Sequence, residues 1–205
     1  VNAGGCYARE VGGWVGVDTP ITNMEHQFLV TEPLAEFKGQ ERELPVMRDP
    51  ATAGYYRQEQ NAGLGGIYEH YGSREAWASR GGSPEWSAEN ELFEGDIDRI
   101  APWLEKALER MPIFANAGIK RIINGAIPHT PDGNPLVGPA HGLRNFWQCC
   151  GSSIGIAQGA GCGKFLAQWM VHGDCEINMH SVDPRRFGSY ADADYTRAKS
   201  FDDYE

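Results

Sequence analysis

Two short stretches carry residue types that could do chemistry. The first is Cys150-Gly151-Ser152-Ser153-Ile154-Gly155-Ile156, an apolar run entering a glycine- and serine-rich turn just ahead of a helical pattern. Glycines at a strand-to-helix turn let backbone amides approach a ligand closely. A helix amino end also presents partial positive charge, so the turn suits phosphate, carboxylate or another electron-rich group. The same stretch serves equally as a small-residue face for helix packing. The second candidate is His26, flanked by Glu25 and Gln27 and sharing alternation with Met24 and Phe28. A histidine there is either a satisfied core residue or a proton-handling group. Tyr55 and Tyr56 read as strand aromatics, one of which could aim its phenol into a pocket.

Familiar phosphate motifs do not fit. Counting back from Gly163-Lys164 places Gln158 where a P-loop needs glycine, and Phe165 where it needs Ser or Thr. The dinucleotide pattern Gly-x-Gly-x-x-Gly is absent at the expected spacing after a first strand. Cys6, Cys149, Cys150, Cys162 and Cys175 form no CxxC pair, have no histidine at zinc spacing and point to no metal. An odd set of free thiols fits a reducing compartment, and the adjacent Cys149-Cys150 reads either as core or as a redox pair.

The elements that must position these groups follow from periodicity. Val1 to Gly5 reads as a strand entering a glycine turn, and Cys6 to Val15 as a short helix. Because an opening strand without neighbours is unusual, the chain is expected to be an internal piece of a larger protein. Residues Ile21 to Thr31 alternate as a half-buried strand. Three strand-like runs, Leu44 to Met47, Gly54 to Gln58 and Leu64 to Tyr68, suggest an antiparallel meander, and His70 to Asn90 a long loop. Pro102 suits the first position of a helix through Met111. A strand covers Ile119 to Ile127, turn chemistry Thr130 to Pro135, and a buried strand Asn145 to Cys150. The helix from Ile156 to about His172 carries Gly155, Gly159 and Gly163 on one face, which something must approach closely. Residues 183–205 resemble a linker with one weak helix. The fold class expected is α+β.

Net charge of −10 with scattered basic residues argues against a nucleic-acid partner. No stretch nears the roughly 18 apolar residues of a membrane helix, and no signal peptide is visible, so a soluble chain without a membrane partner is expected.

Several runs taken together resemble the dimethylglycine and sarcosine dehydrogenase family of FAD-dependent oxidoreductases. They are Val1-Asn2-Ala3-Gly4-Gly5, Glu25-His26-Gln27-Phe28-Leu29-Val30-Thr31, Leu44-Pro45-Val46-Met47-Arg48-Asp49 and Tyr55-Tyr56-Arg57-Gln58-Glu59. Asp96-Ile97-Asp98-Arg99-Ile100, Thr130-Pro131-Asp132-Gly133-Asn134-Pro135, Cys150 to Ile156 and Asp183-Pro184-Arg185-Arg186-Phe187-Gly188 extend the likeness over nearly the whole chain. The His-Gln-Phe and Tyr-Tyr-Arg-Gln-Glu runs are closer to dimethylglycine dehydrogenases, while Gly159 to Gly163 is also similar to sarcosine dehydrogenases.

The resemblance implies the carboxy-terminal part of a glutathione-reductase-like FAD domain with an inserted antiparallel substrate domain. On that basis 1–20 would end the first FAD-domain half, 21–118 would bind substrate, 119–180 would return to the FAD domain, and 181–205 would lead toward a folate-binding portion. The family's Gly-x-Gly-x-x-Gly segment and flavin-linking histidine have no counterpart in these residues. It further implies hydride transfer from an N-methyl carbon of N,N-dimethylglycine to flavin N5, leaving an iminium that is hydrolysed or passed to tetrahydrofolate. Sarcosine oxidation and a catalytically silent regulatory subunit are the competing readings. His26 and Tyr55 match the pair beside the flavin, and Gly151, Ser152, Ser153, Ile154, Gly155 and Ile156 the loop around its ring. The implied partners are a small N-methylated amino acid and an electron acceptor, either electron-transfer flavoprotein or oxygen. The implied compartment is the bacterial cytoplasm or the mitochondrial matrix.

Overall fold

Alternation over the His26 segment produces the longest strand but one, β1 (Thr22–Thr31). The computed structural model describes residues 1–205, a mixed α/β chain in which β1 joins β2 (Met47–Asp49), β3 (Gly54–Glu59), β4 (Ala62–Ile67) and β5 (Ile119–His129) in the order β2-β3-β4-β1-β5. The pairings β2/β3, β3/β4 and β4/β1 are antiparallel, with Tyr55 opposite Gly66, and Gly66 in turn opposite Phe28.

The chain separates into two compact units. One comprises residues 1–24, 75–88 and 127–204; the other comprises 25–74 and 89–126 with Glu205. The long loop is thus divided, and 75–88 goes with the first unit. There Asn23 Nδ2 donates to the carbonyls of Gly82 and Cys6, at 2.6 and 2.9 Å.

In the second unit the period-2 pattern sends side chains to two faces. Leu29 and Ile67 pack with Ile100, Trp103, Leu104 and Ile122 beneath α2 (Ile97–Arg110). Val30, Ala62 and Leu64 pack with Phe28 and Tyr55 on the other face. The helix does not start at Pro102 as its sequence suggested. It starts five residues earlier, because the Asp96 side chain accepts the Arg99 amide at 3.1 Å and caps the amino end. Pro102, within the second turn, then forgoes only the bond to the exposed Asp98 carbonyl.

In the first unit, Asn2 bridges in parallel to Gln148 of β7 (Trp147–Cys150), which pairs antiparallel with β6 (Leu136–Pro139). Asn2 is 1% exposed and donates from Nδ2 to Ala8 O at 2.8 Å, tying the glycine turn to α1 (Ala8–Gly13). Leu136, Ala8, Ile21 and Cys150 form one core, and Val137, Leu166 and Met179 a second beside α3 (Gly155–His172). The stretch read as a linker holds α4 (Ala193–Tyr204), whose Thr196, Ser200 and Tyr204 are buried. Asp203 bonds His129 Nε2 at 2.7 Å and Ser200 Oγ donates to His129 O at 3.1 Å, so the helix packs against the end of β5.

Candidate functional site

Strand alternation separates the two adjacent tyrosines. Tyr56 turns to the α2 face, where it is 5% exposed and its hydroxyl bonds Thr52 Oγ1 at 2.8 Å. Tyr55 turns to the opposite face and its hydroxyl meets His26 Nε2 at 3.0 Å. β3 and β1 are not neighbours, since β4 lies between them. The Tyr55 ring therefore crosses β4 at Gly66, where a Cβ would stand 2.2 Å from its Cζ. Only glycine leaves that path open.

Two further residues complete the cluster. The Tyr68 ring stacks on His26 with centroids 4.3 Å apart and planes at 24°. Arg48, exposed on β2 and paired across from Tyr55, places its guanidinium carbon 5.3 Å from the Tyr68 ring centroid. Burial and the Arg99 and Arg48 cations hold His26 down to about 4, so the imidazole is neutral near pH 7. Burial, assisted by Tyr68, pushes the Tyr55 phenol up to about 12. Two uncharged hydrogen-bonding groups thus sit beside an exposed guanidinium. Arg48 and Tyr68 escaped the sequence reading, although Arg48 lay inside one of the resembling runs. Neither is next to His26 until strand pairing puts it there. An apolar cavity of about 100 Å³, lined by Leu29, Tyr56, Ile67, Leu104 and Phe114 among others, lies on the α2 face and contains no charged group.

The glycine-serine turn lies in the other unit. Gly151 has φ +68°, and a Cβ there would lie 2.7 Å from Thr130 Cγ2, so the turn requires glycine twice over. Ser152 Oγ donates to Gln158 Oε1 at 2.7 Å and ties the turn to α3. Ser153 is half-buried, whereas Ile154, Gly155 and Ile156 are exposed. No side chain caps this helix at Ile154, which leaves its first amides available to an outside acceptor. Cβ atoms at Gly159 and Gly163 would meet nothing within 4 Å, so that face has open space beside it. Cys150, by contrast, is core, its thiol pushed up to about 12 by burial.

Comparison with known proteins fits these features. A family model described as FAD dependent oxidoreductase matches residues 1–169. Mitochondrial dimethylglycine dehydrogenase of Mus musculus is 41% identical over 207 residues, covering 100% of this chain and 24% of that protein. Mitochondrial sarcosine dehydrogenase of Mus musculus is 35% identical over 198 residues, covering 96% of this chain and 20% of that one. The chain therefore spans about a quarter of the length of these relatives or less. The crystal structure of L-proline dehydrogenase from P. horikoshii shares the fold, with a TM-score of 0.70 at 20% identity over 90% of this chain and 46% of that one. No helix is long and apolar enough to cross a membrane.

Proposed function

The chain belongs to the FAD-dependent oxidoreductase family, and from that premise we propose that it serves the oxidative demethylation of N,N-dimethylglycine, with His26 and Tyr55 as its catalytic pair. The observation that carries the reading is the neutral His26–Tyr55 hydrogen bond beside the exposed Arg48 guanidinium. A carboxylate is the natural partner of that guanidinium, which offers a planar fork of donors. The substrate's amine then lies toward the phenol and the imidazole.

Loss of hydride from an N-methyl carbon needs the nitrogen lone pair, so the bound amine must be unprotonated. The cationic field of Arg48 and the neutral state of His26 and Tyr55 both disfavour an ammonium, and the amine releases its proton on binding. Tyr55 and His26 provide a hydrogen-bonded path for that proton toward solvent. The carbon and nitrogen left behind form an iminium, which water or tetrahydrofolate consumes.

The residues fit an FAD ring at the Gly151 turn. Gly151, Ser152, Ser153, Ile154, Gly155 and Ile156 combine an obligatory glycine, exposed backbone and uncapped helix amides, which suit the electron-rich edge of an isoalloxazine. When bound, FAD supplies the two-electron acceptor for the hydride. In this reading the first unit corresponds to the carboxy-terminal part of a glutathione-reductase-like FAD domain, and the second to an inserted substrate domain. Electron-transfer flavoprotein or oxygen would reoxidise the flavin.

The test is the flavin absorbance of the intact protein. Bleaching by N,N-dimethylglycine supports the reading, and Arg48→Ala should raise the half-saturating concentration at least about tenfold, for loss of a charge-assisted contact of roughly 1.5–3 kcal/mol. A preference for sarcosine, or no bleaching by either amine, overturns it.

A further inference from the structure

We propose that Arg99 is a positioning residue, a clamp on the α2 side of the sheet that fixes the stacked His26–Tyr68 pair on the other side. The inference rests on the reading of His26 and Tyr55 as the catalytic pair. Arg99 donates from one terminal nitrogen to Glu25 Oε2 at 2.8 Å, and its Nε lies 2.9 Å from Glu69 Oε1. Its side chain is 3% exposed, that of Glu25 14% and that of Glu69 0%. Asn124 Nδ2 adds a bond to Glu25 Oε2 at 3.2 Å.

The carboxylates belong to the residues next to the stacked rings. Glu25 precedes His26 on β1, and Glu69 follows Tyr68 just beyond the end of β4, whose pairing with β1 reaches Ile67 opposite Gln27. Alternation along β1 sends Glu25 to the face opposite His26, and beyond β4 Glu69 meets Arg99 while Tyr68 meets His26. Two largely buried carboxylates brought to one site repel unless a cation stands between them, and Arg99 is in contact with both. The guanidinium, carried on α2, hydrogen-bonds Glu25 and stands in ion-pair contact with Glu69 at the same time. A displacement of either glutamate therefore moves the backbone from which His26 or Tyr68 projects.

Stability alone is a weak reason for this arrangement, since a well-packed apolar trio commonly does as well as a buried ionic one. The geometry of the rings gives a better one. The groups facing His26 are Tyr55 from β3, Tyr68 beyond β4 and Arg48 from β2; Arg99 acts through the sheet from α2 together with Glu25 and Glu69. Arg99 and Arg48 both oppose a charged imidazole, so the clamp also helps keep His26 neutral.

The experiment uses the intact flavin-loaded protein and two variants. Arg99→Lys keeps the charge without the fork, and Glu69→Gln keeps the shape while cutting one arm. At a temperature where circular dichroism and flavin content equal those of the wild type, kcat should fall roughly 10- to 100-fold with KM little changed, as for a misplaced catalytic group. The His26 imidazole 15N shifts, which report the Tyr55 hydrogen bond, should move in both variants. A lower Tm with unchanged kcat and unchanged shifts would leave the trio merely structural and overturn the proposal. Should the wild type fail to oxidise N,N-dimethylglycine, the substrate reading falls, while the imidazole shifts still decide the clamp.

Discussion

The Tyr55 hydroxyl reaches His26 Nε2, 3.0 Å away, by lying across an intervening strand where Gly66 has no side chain. Gly66→Ala should therefore act as a Tyr55 substitution in disguise. The Cβ displaces the phenol, and turnover of the intact enzyme should drop toward that of Tyr55→Phe, roughly 10²-fold for loss of a proton-handling group. Steady-state kinetics of both variants checks this, and near-wild-type turnover in Gly66→Ala would mean that the phenol is dispensable.

His26→Ala in the intact enzyme should cut turnover by a similar order while leaving flavin content intact, because the imidazole lies in the second unit and the proposed flavin loop in the first. Turnover and the flavin-to-protein absorbance ratio are the two readouts. Unchanged turnover removes His26 from the mechanism.

His26 also makes folding sensitive to acid. Its folded value, about 4, lies below the ordinary 6.5, so the unfolded chain takes up a proton first. Stability is unaffected above about pH 6.5, declines as pH falls through the window, and levels off below about 4, a total of up to about 3 kcal/mol at about 1.4 kcal/mol per unit. Urea unfolding at pH 7, 5 and 4 should show a steeper acid loss for the wild type than for His26→Gln. Parallel curves would contradict a neutral buried imidazole.

The amino end of α2 is held by one carboxylate, Asp96, whose backbone is also bonded in both directions by the Gln27 side chain at 2.6 and 3.0 Å. Asp96→Ala should cost about 1 kcal/mol of stability as an ordinary cap loss. Asp96→Asn should restore most of it. Denaturant midpoints of the two variants test this, and equal losses would show that the Arg74 ion pair with Asp96, at 2.8 Å, matters more than the cap.

The first unit should be sensitive at Leu136, which is fully buried between Ala8, Ile21 and Cys150. Leu136→Ala removes side-chain volume from a site formed by four separate segments, and a loss of about 2–5 kcal/mol is expected. Thermal unfolding of the intact protein measures it. A loss below about 1 kcal/mol would mean that the segments close around the vacancy.

What the residues determined by themselves is local. Alternation around His26, the glycine turn at Gly151 and the helix after it are set by neighbours within a few positions, and all were legible, whereas the strand expected over Val1 to Gly5 is a single bridge at Asn2. His26 and Tyr55 were legible as candidates, through the runs that resemble a known family. The start of α2 was misjudged because Pro102 is a strong local signal, whereas the Asp96 cap is an ordinary one that tertiary bonds from Gln27 reinforce. α4 was expected only as a weak helix, because its polar sequence hides the three residues it buries. Only the tertiary structure decided what surrounds His26. Arg48, Tyr55, Gly66 and Arg99 come from four different elements, and Tyr68 lies just past the end of β4. They meet through strand register, which is fixed by the sum of cross-strand contacts over whole strands and leaves no mark on any single short stretch of sequence.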